Sequence, residues 1–179
     1  MTENDLVESA CSTHGLDRHV CVHEAGHAVA AIDNDIPFRA VVFYGDADAP
    51  RFMAGLAKAA AAIDAGPDPA TWVLPDLLGS LRFVMGGVAA EFAVLGDAIP
   101  GGWDEDLKVW RRGSGRTGQQ TEEDLTELIG KPMQEAWKEC AEWADANASR
   151  IEVVAAALAG LEPPWEMTQQ QVRELLGGP

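Results

Sequence analysis

The chain has 179 residues, 47% hydrophobic and 23% charged; a chain of this length buries roughly 70% of the surface its unfolded form exposes, and the composition excludes collagen-like and wholly disordered proteins. Thirteen basic side chains against 29 acidic ones give a formal net charge of −16, which repels phosphate backbones and anionic headgroups and argues against nucleic-acid and membrane partners. No run of 18 uncharged apolar residues occurs, and Met1-Thr2-Glu3-Asn4-Asp5 opens with acids where a secretory signal needs a basic and then an apolar segment, so a soluble cytoplasmic protein is expected.

One domain is expected over 1–179, with residues 1–15, polar and aperiodic, as a flexible lead-in. Asp17 to Ile32 is small and apolar, with Asp17 as N-cap and Asp33, Asn34 and Pro37 beyond it, which predicts a mostly buried helix. Phe38 to Tyr44, β-branched and aromatic, reads as a strand ending at Gly45, and Gly45 to Pro50 as a turn or loop. Leu56 to Ala65 holds five alanines between Ala57 and Ala62, which predicts a helix ended by Gly66-Pro67-Asp68-Pro69. From Leu74, apolar residues recur at three and four through Leu81, Val84, Met85, Val88 and Phe92 to Leu95, the clearest amphipathic pattern in the chain. Its Met and aromatic positions read as core, and Gly96 as the stop.

Gly113 to Gln120 is a polar, glycine-rich separator, and Thr121 with Asp124 resembles a capping box ahead of Leu125, Leu128 and Ile129. Gly130 and Pro132 break that run. Met133 to Ala144 continues helically, Ile151, Val154, Ala155 and Leu158 build a further stripe before Gly160, and Thr168 caps a short last helix through Val172, Leu175 and Leu176. The fold class is mainly α with a small β element, with room for weak strands near 71–74 or early in the chain.

Chemistry concentrates in His23-Glu24-Ala25-Gly26-His27. Histidines at i and i+4 share one helical face, so both imidazoles reach one zinc ion, and the glutamate between them addresses a bound water as general base. Val20, Cys21, Val22, Ala28, Val29 and Ala30 flank the turn, placing it inside the fold, where polar groups need partners. Catalytic zinc takes three protein ligands and keeps one open position, so a third ligand must come from elsewhere. His14 and His19 are the other histidines; His19, one turn before His23, is geometrically possible as a ligand but reads rather as a neighbour or surface residue. The acids Asp104, Glu105 and Asp106 follow Gly101-Gly102 and read equally as a solvated face, a helix start or a ligand source.

Cys11, Cys21 and Cys140 are too few and scattered for a disulfide framework; a Cys/His metal knuckle with His14, His19 and His23 is set against buried or incidental thiols. Glycine-rich stretches lack the strand–loop–helix context of a phosphate cradle and read as turns.

His23 to Ala30 resembles the metal-binding helix of the FtsH/AAA-protease peptidase family, the M41 metallopeptidases. Gly86-Gly87-Val88-Ala89-Ala90-Glu91 is similar to that family's Gly-Gly-Arg-Ala-Ala-Glu helix, and Gly102-Trp103-Asp104-Glu105-Asp106-Leu107 to the segment whose aspartate is its third zinc ligand. The likeness extends over roughly residues 16–176. It implies a zincin-like HExxH helix packed in a helical metallopeptidase domain, Zn2+ held by His23, His27 and Asp106, Glu24 as base, and Asp104 as the competing third ligand. Glu91 then reads either as a support for a ligand histidine or as an ordinary ion-pair acid, and Gly86-Gly87 as a place where helices approach closely.

The departures are Val88 for the family's arginine, Phe92 for its second glutamate, and no phosphate loop or membrane segment. The resemblance therefore implies a peptidase acting on peptides or unstructured polypeptides, with a separate ATPase unfoldase and a homo-oligomeric ring as further expectations. A non-catalytic zinc-containing peptide-binding adaptor of the same fold is the alternative, and another zinc hydrolase a third reading. Arg39 to Tyr44 is either an edge strand pairing with substrate or plain scaffold, and Trp110, Trp137, Trp143 and Trp165 either anchor an interface or finish the core.

Overall fold

A computed structural model describes residues 16–44, 60–64, 77–99, 101, 106, 126–127, 129–162 and 165–178. The expectations for 1–15, 45–50, 66–69, 71–74, 113–120 and 121–124, and for Trp110, lie outside these residues. The described elements are α1 (Leu16–Asp33), β1 (Ala40–Tyr44), β2 (Ala60–Asp64), α2 (Leu77–Leu95), α3 (Met133–Ala159), β3 (Glu166–Thr168) and α4 (Gln169–Leu175). The architecture is mostly α-helical with one small sheet, as the patterning predicts, and among the described residues no helix is long and apolar enough to cross a membrane.

Away from its histidine face, helix α1 is small and apolar because it is covered: Val22, Ala25, Ala28, Val29, Ala30 and Ala31 are fully buried. It begins at Leu16, so Asp17 lies inside the first turn and is not the N-cap. Its other end closes through Ile36 N–H donating to Ala31 O at 2.8 Å, with Asp35 at φ 53°.

Helices α1 and α2 cross at close backbone contact. A Cβ on Gly26 would lie 2.3 Å from the carbonyl oxygen of Gly86 and 2.5 Å from Ala90 Cβ, and one on Gly86 would lie 3.1 Å from Ala30 Cβ. Glycine therefore sets the helix separation, as the Gly86-Gly87 pair suggested. Helix α2 ends at Gly96, φ 84°, a conformation that favours glycine.

Helix α3 completes the three-helix core. The two stripes expected before and after 145 belong to one helix, whose buried face runs Ala136, Cys140, Ala144, Ile151, Val154, Ala155 and Leu158. Polar contacts clamp it to both ends of α1. Arg18 pairs with Glu152, while Asp33 accepts from Arg150 Nη1 and Trp143 Nε1, each at 3.0 Å. Trp137, Trp143 and Trp165 are partly buried against the core, the finishing role.

The sheet has the order β2-β1-β3, antiparallel throughout, with Ala40 opposite Asp64 in β2 and Thr168 in β3. Two expectations are corrected here. Leu56–Ala65 does not form a helix over its described part, because Ala60–Asp64 is β2: the ladder to β1 supplies its backbone partners and overrides a propensity worth only a few tenths of a kcal/mol per alanine, about 0.5 at most. Strand β1 is not an edge either. It pairs on both sides, and beyond β3 Phe43 N–H donates to Trp165 O at 2.9 Å, so it is scaffold. Thr168 caps α4 in a full capping box with Gln171, as its position predicts.

Candidate metal centre

One helical face of α1 carries His19, His23 and His27 at four-residue intervals, and α2 presents Phe83, Gly87 and Glu91 to it at the same spacing. Each ligand-type histidine is held from behind. His27 Nδ1 lies 2.8 Å from the carbonyl oxygen of Phe83, which can only accept, so that nitrogen bears the proton. His23 Nδ1 lies 2.6 Å from Glu91 Oε1. Glu91 is 1% exposed; burial pushes its pKa up, but hydrogen bonds from His19 and His23 and the Ile99 backbone N–H outweigh that and leave it below the ordinary value, so it is a carboxylate accepting His23 Nδ1–H.

With both Nδ1 atoms donating, the neutral imidazoles would turn both Nε2 lone pairs to the metal, and the two Nε2 atoms face each other at 3.0 Å. Asp106 Oδ2 lies 3.2 Å from His23 Nε2 and 3.4 Å from His27 Nε2. Donors about 2.0–2.1 Å from a tetrahedral zinc are separated by roughly 3.3 Å, so the three distances match the edges of such a shell. His23, His27 and Asp106 are the one such group of three among the described residues.

The space between them depends on glycine: a Cβ on Gly87 would lie 2.5 Å from His23 Nε2 and 2.6 Å from His27 Nε2. Access is one-sided, since the Asp106 side chain is 28% exposed and that of His27 only 7%.

The titration behaviour follows from three electron-rich atoms aimed at one point. For His23, burial alone would lower the pKa, but hydrogen bonds to Asp106 and Glu91 and their charges hold it well above 6.5. For His27, burial is again outweighed, here mainly by the Asp106 charge, and its pKa is raised. Burial pushes Asp106 up, yet the neighbouring His27 and His23 hold it far below the usual carboxylate range. The cluster attracts a cation, and a soft-to-borderline divalent ion suits a two-imidazole, one-carboxylate set.

Glu24 is 7% exposed, and its Oε2 has no hydrogen-bond partner among the described residues. Burial raises its pKa, with the charges of His27 and His23 pulling the other way. A buried carboxylate with an unpartnered oxygen beside the donor cluster is what a proton-accepting role requires.

The structure thus brings His23, His27 and Asp106 together with Glu24 on the same helical turn as the histidines, while Asp104, Glu105, Cys11 and His14 lie outside the described residues. His19 is not at the surface: it is fully buried, with Nδ1 2.8 Å from Glu91 Oε2. Cys21 and Cys140 are buried thiols, and burial pushes Cys140 up to about 11, which makes it unreactive. The Phe83 carbonyl and the Ile99 N–H are backbone groups with no sequence signal; His19 had one, the continued i, i+4 spacing. No model of a known family matches the chain, and no curated protein matches it. The site rests on its own geometry, a His-Glu-x-x-His…Asp triad in a mainly helical domain, consistent with a zincin-like metallopeptidase fold.

Proposed function

We propose that this chain is a zinc metallopeptidase domain of the M41 type, with His23, His27 and Asp106 as ligands and Glu24 as general base, hydrolysing peptides and unstructured polypeptides. The observation that carries the reading is the convergence of three donor atoms within 3.0–3.4 Å beside a buried carboxylate oxygen that has no partner among the described residues. When bound, zinc supplies Lewis acidity to a water and to the scissile carbonyl.

The protein's own groups do the rest. Glu91 and the Phe83 carbonyl fix the tautomer and plane of each imidazole. Glu24 takes the proton of the attacking water on Oε2 and hands it to the leaving amine, a role its raised pKa favours because it brings the carboxyl nearer to neutral conditions. A structural site needs no base between its histidines, so Glu24 favours catalysis over the adaptor reading. Folded substrates would reach the site through a separate ATPase unfoldase or a ring of copies. A cytoplasmic setting accords with buried thiols at Cys21 and Cys140.

The test is zinc content by elemental analysis together with cleavage of casein and a peptide library. One zinc per chain is expected, lost in a His23→Ala/His27→Ala variant and weakened more by Asp106→Ala than by Asp104→Ala or Glu105→Ala. Glu24→Gln at matched zinc content should lower cleavage by at least about 10²-fold. A zinc-loaded parent that cleaves nothing transfers the conclusion to the non-catalytic adaptor.

A further inference from the structure

We infer that His19 is a positioning residue of the metal centre, acting through the carboxylate of Glu91; the inference rests on the zinc reading above. Glu91 meets three donors from three directions. Its Oε1 takes His23 Nδ1 at 2.6 Å, and its Oε2 takes His19 Nδ1 at 2.8 Å and the Ile99 backbone N–H at 2.9 Å. Rotation about the last side-chain torsion of a glutamate is soft, with broad minima. An oxygen pinned by two donors removes that freedom, and the other oxygen is then fixed on His23.

The arrangement uses the helix period. His19 stands four residues before His23, so both imidazoles face the same carboxylate, and His27, four residues further on, faces the donor cluster. His19 is fully buried and Glu91 1% exposed. In that setting a carboxylate keeps its charge only while its oxygens are hydrogen-bonded. Behind His19, Asp97 Oδ1 lies 3.5 Å from Nε2; the hydrogen-bonded chain itself is His19, Glu91, His23. With the carboxylate free to turn, His23 Nδ1 loses its fixed acceptor, and its ring is no longer held with Nε2 toward His27 and Asp106.

The substitutions that test this separate the Nδ1 donor from the bulk of the ring. In His19→Asn the amide nitrogen occupies nearly the position of Nδ1 and still reaches Glu91; in His19→Gln the amide reaches the Nε2 position and the Nδ1 donor is gone; His19→Ala removes both. Zinc affinity of the full chain is measured by competition with a chromogenic chelator, and the visible absorption of the Co2+-loaded protein reports the ligand geometry. We expect His19→Ala and His19→Gln to weaken zinc by about 10-fold, the lower end of what losing a partner of a metal-bound histidine costs, since Glu91 stays but is no longer fixed, and to change the Co2+ spectrum. His19→Asn should stay within about threefold with the parent spectrum.

Rescue by Asn but not by Gln is a result that a packing role for the ring does not produce, and it stands even where His19→Ala fails to fold. Equal zinc affinity in Asn and Gln variants overturns the inference while leaving the metal centre intact. A parent chain that binds no zinc overturns the metal centre and this inference with it.

Discussion

The two sides of α2 are built on opposite principles. On the side facing α1, Phe83, Gly87 and Glu91 follow one another at four-residue spacing, and what they offer is a carbonyl, an absence of side chain and one buried carboxylate. On the side facing α3, Met85, Val88 and Phe92 are large and apolar, and with Ile99, Met133 and Trp137 they line a cavity of about 470 Å³. The first side is set by close backbone contact and leaves no room for an added side chain at Gly86 or Gly87. The second is filled by adaptable side chains around open space. Neighbouring residues such as Gly87 and Val88 therefore carry different kinds of constraint, one set by the site and one by packing.

The largest effect that would expose this difference is expected at the helix crossing. Gly26→Ala drives a methyl to within 2.3 Å of the Gly86 carbonyl oxygen, which is backbone and cannot swing away, so a loss of about 3 kcal/mol, the upper end of overpacking costs, is expected in urea unfolding. Gly87→Ala comes next and acts on metal more than on fold. Its methyl would meet the Nε2 atoms of His23 and His27, and zinc affinity should fall by at least about 10- to 100-fold. Val88→Ala, one residue along on the cavity side, should leave zinc binding within about threefold. Equal zinc loss in the two would mean that the sides are not independent.

A pH experiment sharpens the same contrast. Without metal, His23 and His27 have pKa values raised above 6.5, and Asp106 lies below 3.8. A histidine that holds its proton more tightly when folded contributes stability in full below 6.5 and loses it as pH rises through the folded value. A depressed aspartate contributes above 3.8 and loses its share as pH falls. The metal-free site is thus most stabilising between these limits. The parent in chelator should show a larger drop in Tm from pH 5.5 to pH 8 than His23→Ala/His27→Ala, and saturating zinc should abolish the excess because it replaces the proton among the donors. A parent with the same pH dependence as the double variant would count against the cluster.

Much of the donor cluster was legible because its spacing is periodic. His23 and His27 sit one turn apart, and Asp106, expected as a ligand from the likeness of its segment to a ligand segment, lies within 3.4 Å of both Nε2 atoms. The helices α2, α3 and α4 were legible for the same reason, as was the Thr168 cap. What was not legible is what depends on distant pairing. The alanines of β2 favour a helix locally and became a strand through the ladder to β1; β1, strand-like on its own, gave no sign that β2 and β3 would cover both its edges. His19, expected to be a neighbour of the site or a surface residue, is a buried neighbour, and what the sequence could not show is its partner, since Glu91 lies 72 positions away.

The smallest expected effect is at Phe92, where the two sides of α2 come nearest to communicating. Phe92 is 50% exposed and meets Trp137 edge-on with ring centroids 6.3 Å apart, so it is only half the core residue that its place in the stripe predicts. Phe92→Ala gives up about half the transfer free energy of a phenyl side chain and one aromatic contact, about 1–2 kcal/mol in all. Its zinc affinity should match the parent within about twofold, since no atom of the donor cluster touches this side. The route by which it could fail is specific. Ile99 lines the cavity, while its backbone N–H donates to the carboxylate that holds His23. A loss of zinc affinity beyond about tenfold in Phe92→Ala, at unchanged fold, would show that the 97–99 turn transmits packing on one side to ligand geometry on the other; parent-like affinity would establish that turn as rigid and the two sides as separable.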